Sequence, residues 1–327
     1  MKYSIIVPVY NRPEEVRELL ESLTQQTYQN FEVVIVEDGS KDKCEDVVKG
    51  FADRLDIHYY FKENGGQGFA RNYGYERATG DYFIVFDSDC LIPEKYLEIV
   101  NNRLSENYLD AYGGPDKAAK SFTKIQKAIS YAMTSPMSTG GIRGNKKQLG
   151  GQFHPRSFNM GISRAVYEKT KGYILPKMGE DIEFSIRIIN NGFKVGLIPE
   201  AHVFHKRRTN FRQFYKQLHF FGRARININR FHKGQIKAVH FFPAVFAMGV
   251  FALPLSLLLG LELFLIHVAG YSLYSLLAFS DAVAKEKNAE IGLLSVVAVW
   301  TQLMAYGIGF ITEAFSNPPK TNPQSEG

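Results

Sequence analysis

Tyr82-Phe83-Ile84-Val85-Phe86-Asp87-Ser88-Asp89 is an apolar run that stops abruptly at two carboxylates. A strand buried on both faces reads this way, and the acids then stand at its carboxyl end. Working outward, the preceding residues alternate short β-branched runs with amphipathic stretches. Strands are predicted at 5–9, 31–36 and 57–61, and helices at 14–25, 42–51 and 68–78. That alternation is the signature of βαβ units and a parallel sheet. Ligands of such sheets bind beyond the carboxyl ends of the strands. Polar residues cluster at those ends, at 10–12, 37–40 and 87–89, so three strand ends converge on one expected site.

Two carboxylates at i and i+2 suit a hard divalent cation whose other positions go to diphosphate oxygens. In isolation an Asp-x-Asp is more often turn chemistry, its side chains bonded to nearby amides. Asp38, in Val36-Glu37-Asp38-Gly39-Ser40, has the same two readings: a cap for the next helix, or an acceptor for a nucleobase N–H.

Four ordered motifs resolve these alternatives. Ile6-Val7-Pro8-Val9-Tyr10-Asn11-Arg12, Glu37-Asp38-Gly39-Ser40, Ala70-Arg71-Asn72-Tyr73-Gly74 and Asp87-Ser88-Asp89 resemble the nucleotide-binding half of family 2 glycosyltransferases with the GT-A fold. The resemblance continues through Ser157-Phe158-Asn159-Met160-Gly161-Ile162 and Gly179-Glu180-Asp181. It covers residues 1–225 and implies an α/β, Rossmann-like mixed sheet with flanking helices and an inverting transferase. By resemblance, Pro8, Tyr10 and Arg12 surround the nucleoside, Asp38 meets the base, and Arg71 lies near base and phosphates. Asp87 and Ser88 face the donor, with Asp87 on ribose or metal. Asp89 is the principal ligand of Mn²⁺ or Mg²⁺, and His205 a further metal or diphosphate contact. Asp181 is the general base and Glu180 its support, while Asn159, Arg207 and Arg208 are assigned to acceptor or diphosphate. A nucleotide-diphosphate sugar, with UDP expected, is the implied donor. Without the resemblance, the acids at 180, 181 and 183 read as favourable charges at a helix start, and His205 as a surface histidine in a basic loop.

Charge divides the chain. Of 39 Lys and Arg only Lys285, Lys287 and Lys320 follow residue 240, and of 33 acids only six do, so residues 1–240 carry a net charge of +9. A basic part suits an anionic partner, phosphate or anionic lipid; the absence of any nucleic-acid-reading motif argues against DNA or RNA. Cys44 and Cys90 are too few for a disulfide framework or zinc cluster and fit a reducing compartment. The apolar run at 4–9 is too short for a signal peptide and reads as a first strand.

Residues 241–260 and 291–312 are charge-free stretches of 20 and 22 residues, each near the length of a bilayer crossing. Residues 261–280 hold only Glu262 and His267 and make a third expected span. Three spans place Lys233, Lys237, Lys285 and Lys287 on one side, as the positive-inside bias favours. The expected organisation is a cytoplasmic catalytic domain at 1–225, a juxtamembrane linker at 226–240, an integral inner-membrane region at 241–312 and a polar tail at 313–327.

An amphipathic helix is expected over 121–136, with Phe122, Ile125, Ile129 and Met133 on one face and a Gly-rich segment at 140–144 after it. It reads as core-packed by itself and as interfacial beside a membrane anchor. Aromatics and bases at 213–223 suit an acceptor groove or lipid headgroups. Glycan or lipid-linked acceptors, membrane lipid and an oligomer are all compatible partners. Processive polysaccharide synthases of the resembled family carry Gln-x-x-Arg-Trp in this region. No clear copy stands at 213–225, which favours transfer of single sugars over polymerisation. A nucleotidyltransferase is disfavoured by the Gly-Glu-Asp segment and the missing early Gly-rich loop, and a non-catalytic scaffold by the intact Asp89 and Asp181. Gly65-Gly66-Gln67-Gly68 does not match the dinucleotide-binding Gly-x-Gly-x-x-Gly.

Overall fold

The computed structural model describes residues 1–117, 123–139, 153–205 and 210–317. The predicted alternation is present as β1 (Tyr3–Val9), α1 (Pro13–Thr24), β2 (Phe31–Asp38), α2 (Glu45–Lys49), β3 (Ile57–Lys62), α3 (Gln67–Tyr75) and β4 (Tyr82–Phe86). There follow β5 (Cys90–Leu91), α4 (Tyr96–Glu106), β6 (Ala111–Gly113), β7 (Asp116–Lys117), α5 (Lys124–Thr134), α6 (Pro136–Thr139), β8 (Asn159–Ser163), α7 (Arg164–Thr170) and α8 (Glu180–Asn190). The chain continues with β9 (Val195–Leu197), β10 (Val203–His205), α9 (Phe211–Phe231), α10 (Phe242–Leu259), α11 (Leu261–Glu286) and α12 (Ala289–Ala314).

The chain forms two compact units. Among the described residues, the first comprises 1–117 and 153–205 and the second 123–139 and 210–317. Residue 225 lies inside α9, which runs on to Phe231, six residues into the expected linker.

In the first unit a seven-stranded sheet has the order β3-β2-β1-β4-β8-β6-β9. β1 to β4 are mutually parallel, β8 is antiparallel to both β4 and β6, and β9 is parallel to β6. The central strands are predominantly apolar because both faces are covered. Ile5, Val7, Val33, Ile35 and Ile84 pack with Val16, Leu19 and Leu23 of α1 in one layer. Ile6, Val34, Val36, Phe83 and Val85 pack with Ala70, Tyr75 and Phe184 in the other. Each such aliphatic contributes about 1.5–3 kcal/mol by leaving water.

β1 pairs with β2 on one side and β4 on the other, so the order of connection reverses at β1 and opens a crevice at the strand ends. The β1–β4 ladder ends at Ile6 and Val85, whereas β1–β2 pairing runs on to Val9 and Glu37. Pro8 lies beyond the last β4 pair, where its missing N–H interrupts no ladder on that side. A small second sheet has the order β5-β10-β7, and its strand β5 directly follows the turn after β4.

The second unit is helical. α5 begins with a capping box, Thr123 and Gln126 bonding each other's backbone amides, and buries Ala128, Ile129, Ala132 and Met133. Its apolar face is thus core-packed, with Leu303, Val299 and Ala298 of α12 in the same cluster. Residues 238–259, α11 and α12 are each long and apolar enough to cross a membrane, which points to membrane association.

Candidate active site

The loops after β1 and β2 brace one another. Asn11 adopts the left-handed region, φ 52°, and its Oδ1 accepts the N–H groups of Lys41 at 2.8 Å and Asp42 at 3.1 Å. Its own N–H donates to Ser40 Oγ at 2.7 Å. Ser40 in turn donates to the buried Glu37, whose other oxygen accepts Cys44 N–H at 2.7 Å. Glu37 is therefore a loop brace, and burial together with Glu37 pushes the Cys44 thiol far up, away from reactivity. Tyr10, 54% exposed, and the half-buried Pro8 lie on this braced rim.

Asp38 is buried at the end of β2. It accepts Gly65 N–H and Gly66 N–H, each at 2.9 Å, and Lys62 Nζ at 2.6 Å. A carboxylate offers about four lone-pair sites, so three donors leave capacity for a further N–H. Its first task in this structure is to hold the loop ahead of α3. The first turn of α3 abuts a distant segment: a Cβ on Gly68 would meet Leu175 O at 2.2 Å, so only glycine fits. Asn72 then pairs both ways with Tyr173, Nδ2 to carbonyl and N–H to Oδ1, each at 2.7 Å.

Arg71 is the centre of the site. Its guanidinium is buried, 1% exposed, and donates through NH2 to Asp87 Oδ1 at 3.0 Å and through NH1 to Glu180 Oε1 at 3.1 Å. It lies over the Tyr173 ring at 5.4 Å. The turn at 87–89 thereby meets the start of α8. Asp89, 7% exposed, accepts Arg12 NH1 at 2.5 Å, while Ser88 is buried between the two acids. Both acids of the turn are thus matched to cations from separate elements, α3 and the loop after β1.

The segment carrying Glu180 and Asp181 turns sharply. Met178 and Gly179 have φ of 67° and 91°, and α8 starts at once with Glu180, Asp181 and Glu183 in its first turn, where the helix dipole favours them. Burial, reinforced by Asp181, raises the Glu180 carboxyl above its ordinary range, against the pull of Arg71 and of the Gln67 amide that donates to it. Asp181 differs: its side chain is 19% exposed, its Oδ1 accepts Ile182 N–H at 2.8 Å, and Arg156 NH1 lies 3.4 Å from Oδ2.

Pro8, Tyr10, Arg12, Asp38, Arg71, Asp87, Ser88, Asp89, Glu180 and Asp181 thus belong to one connected set of strand ends and helix starts. Asn159 stands apart from this set. It is fully buried in β8; its Oδ1 accepts the Tyr96 hydroxyl, and its Nδ2 donates to Ala201 O at 2.8 Å. Each polar end thus has a partner inside the protein. Asn159→Ala is expected to cost about 1–3 kcal/mol through the partners left unpaired, measured by unfolding in detergent, with nucleotide affinity unchanged. Weakened nucleotide binding at undiminished stability would return Asn159 to the site.

His205 closes β10 and is in antiparallel register with Cys90, the residue after Asp89. Arg207 and Arg208 and the Gly-rich 140–144 lie outside the described residues. A second group, Glu32, Asp56 and His58, gathers at the amino ends of β2 and β3, away from the crevice. Lys2 Nζ already lies 3.6 Å from Glu32 and 3.7 Å from Asp56, supplying the opposing charge there.

The sequence profile of glycosyl transferase family 2 matches residues 4–170, just over half of the chain. The chain belongs to glycosyl transferase family 2. It is 42% identical over 114 residues to an uncharacterised glycosyltransferase of Rickettsia typhi, and 39% identical over 111 residues to glycosyltransferase GlyA of Streptococcus pneumoniae. These stretches cover about a third of this chain, 34% and 33%, and only 35% and 16% of those relatives. Among solved structures, the mannosyltransferase PcManGT of Pyrobaculum calidifontis, in complex with GDP-Man and Mn²⁺, aligns with TM-score 0.59 and 18% identity over 96% of this chain and 87% of its own. TarS of S. aureus with UDP-GlcNAc aligns with TM-score 0.51 and 18% identity, covering 91% and 90%. At these identities the likeness establishes the GT-A fold.

Proposed function

We propose that this glycosyltransferase takes a sugar from a nucleoside-diphosphate donor, UDP-linked by expectation, and delivers it with inversion to a hydroxyl of a glycan or lipid-linked acceptor. The observation that carries the proposal is Arg71, a single buried guanidinium joined to both Asp87 and Glu180. It makes the acids after β4 and those opening α8 parts of one charged site. The structural neighbours that contain GDP-Man or UDP-GlcNAc support a donor of this class.

Each residue has a task suited to its surroundings. Asp38 keeps acceptor capacity for a nucleobase N–H, with Pro8 and Tyr10 beside the nucleoside. The carboxylates of Asp87 and Asp89 are hard oxygen donors on one turn, a set that fits Mn²⁺ or Mg²⁺. Bound there, with His205 as a candidate further ligand, the cation would offset negative charge developing on the departing diphosphate. Arg12 and Arg71 hold these carboxylates in place and add positive charge to the same region. Arg207 and Arg208 remain candidates for the diphosphate. Asp181, partly exposed, accepts the proton of the attacking hydroxyl as the new glycosidic bond forms and the bond to diphosphate breaks. Glu180, buried against Arg71 and Gln67, positions that helix start. Direct displacement of this kind inverts the anomeric centre.

The test is a donor screen. Membrane-reconstituted protein is incubated with UDP- and GDP-sugars, Mn²⁺ and lipid-linked acceptors, and nucleoside diphosphate release is followed. Asp89→Asn is expected to lose Mn²⁺-stimulated donor binding and about 10²-fold in kcat/KM. Release of pyrophosphate would mark a nucleotidyltransferase instead. Tight nucleotide binding without turnover on any donor would mark a scaffold.

A further inference from the structure

We infer that α12 does not cross the membrane: α10 and α11 form a helical hairpin that alone enters lipid, and the chain then returns to the side of the sheet-bearing unit. Composition makes three spans equally acceptable, since α12 is as apolar as its neighbours. The contacts within the second unit separate them.

Both ends of α12 are tethered to charged helices. At its start Glu290 pairs with Lys124 of α5. At its end Glu313, 2% exposed, accepts Arg223 Nε at 2.6 Å and Arg230 NH1 at 3.0 Å, both from α9. Arg230 also donates to the carbonyl oxygens of Glu313, at 2.7 Å, and Ser316. α9 carries five cations and no acid in 21 residues, a composition that hydrocarbon excludes. Only five residues of chain, 118–122, separate β7 from Thr123 at the cap of α5, and only four, 206–209, separate β10 from Asn210 at the cap of α9. Even fully extended, five residues reach roughly 17 Å, short of the ~30 Å hydrocarbon core. Both helices therefore stay on that unit's side, and so do both ends of α12.

Exposure agrees. Along α12, Ser295, Gln302, Leu303 and Ala305 are buried. A Cβ on Gly309 would meet His219 O at 2.1 Å, so the α9 and α12 backbones are in direct contact. Only Leu293 and Val297 are large exposed apolar residues of this helix. Around the single-residue turn at Gly260, by contrast, Leu258, Leu259 and Ile266 are 84%, 70% and 70% exposed. The hairpin is antiparallel, with Ser256 beside His267 and Tyr271 bonded to Phe246 O at 2.9 Å. The far end of α11 comes back to α5, where Tyr131 donates to Asp281 at 2.6 Å.

The experiment uses the full chain in sealed vesicles of known sidedness and a membrane-impermeant maleimide, with the buried Cys44 and Cys90 as background. Asp46→Cys marks the sheet-bearing unit, Ala289→Cys the start of α12, Phe315→Cys its end, and Leu258→Cys the hairpin tip. Labelling of the first three from one side, with Leu258→Cys at least tenfold slower, is the expected result. Labelling of Phe315→Cys only from the opposite side overturns the inference, as does fast labelling of Leu258→Cys from the catalytic side. A protease-sensitive tag appended to Gly327 gives the same sidedness readout without touching the helices.

Discussion

Asp181→Asn is expected to lower kcat by about 10²–10⁴-fold, the range over which a positioned general base acts, while donor affinity stays within about threefold. The separation follows from where Asp181 stands. Its Oδ1 contact is to the Ile182 amide and its nearest cation, Arg156, is 3.4 Å away, so the carboxamide can keep the local geometry. The lost charge at a helix start costs at most about 0.3–1 kcal/mol. Binding of donor is measured by calorimetry with Mn²⁺, and turnover by diphosphate release. Equal losses in affinity and turnover would mean that Asp181 belongs to donor binding, and the proposed proton transfer would fall.

Arg71→Met is expected to destabilise the fold by about 3–5 kcal/mol at neutral pH, the usual result of removing one partner from a buried ion pair. Most of this comes from Glu180, which is buried; Asp87, with its side chain 33% exposed, is screened by water and contributes less. The pH dependence has a definite sign. Glu180 is already raised above its ordinary 4.5 by burial and by Asp181, and loss of the guanidinium raises it further. A carboxyl whose folded pKa exceeds its unfolded one binds more protons when folded, so stability falls as pH rises between the two values. The deficit of Arg71→Met should thus be smallest near pH 4.5 and full above the folded pKa. Chemical unfolding of wild type and variant across pH 4.5–8 checks it. A pH-independent deficit would assign the loss to packing against Tyr173 and not to Glu180.

The first four strands and their helices were legible because their signals are local. Period, β-branched runs and polar strand ends are properties of a few adjacent residues, and α/β units convert them directly into a parallel sheet. Asp87 and Asp89 were legible for the same reason, as acids closing a buried strand. The partners of Asn159 were not: its carboxamide bonds Tyr96 and Ala201, residues far away in sequence. Asn11 and Glu37 stood inside recognised motifs, yet their bracing of the loops depends on a positive φ and on partners up to 31 residues away.

By itself the sequence determined the alternating βαβ order, the acids that follow β4 and the apolar character of the last three helices. Only tertiary structure decided that Arg71 joins Asp87 to Glu180, across 109 residues in the second case, and that α12 is enclosed by α5 and α9. The physical reason is common to both. A buried cation and a solvated one are written with the same residue, and protein interior and lipid select the same apolar side chains, so neither environment is marked until the chain has folded.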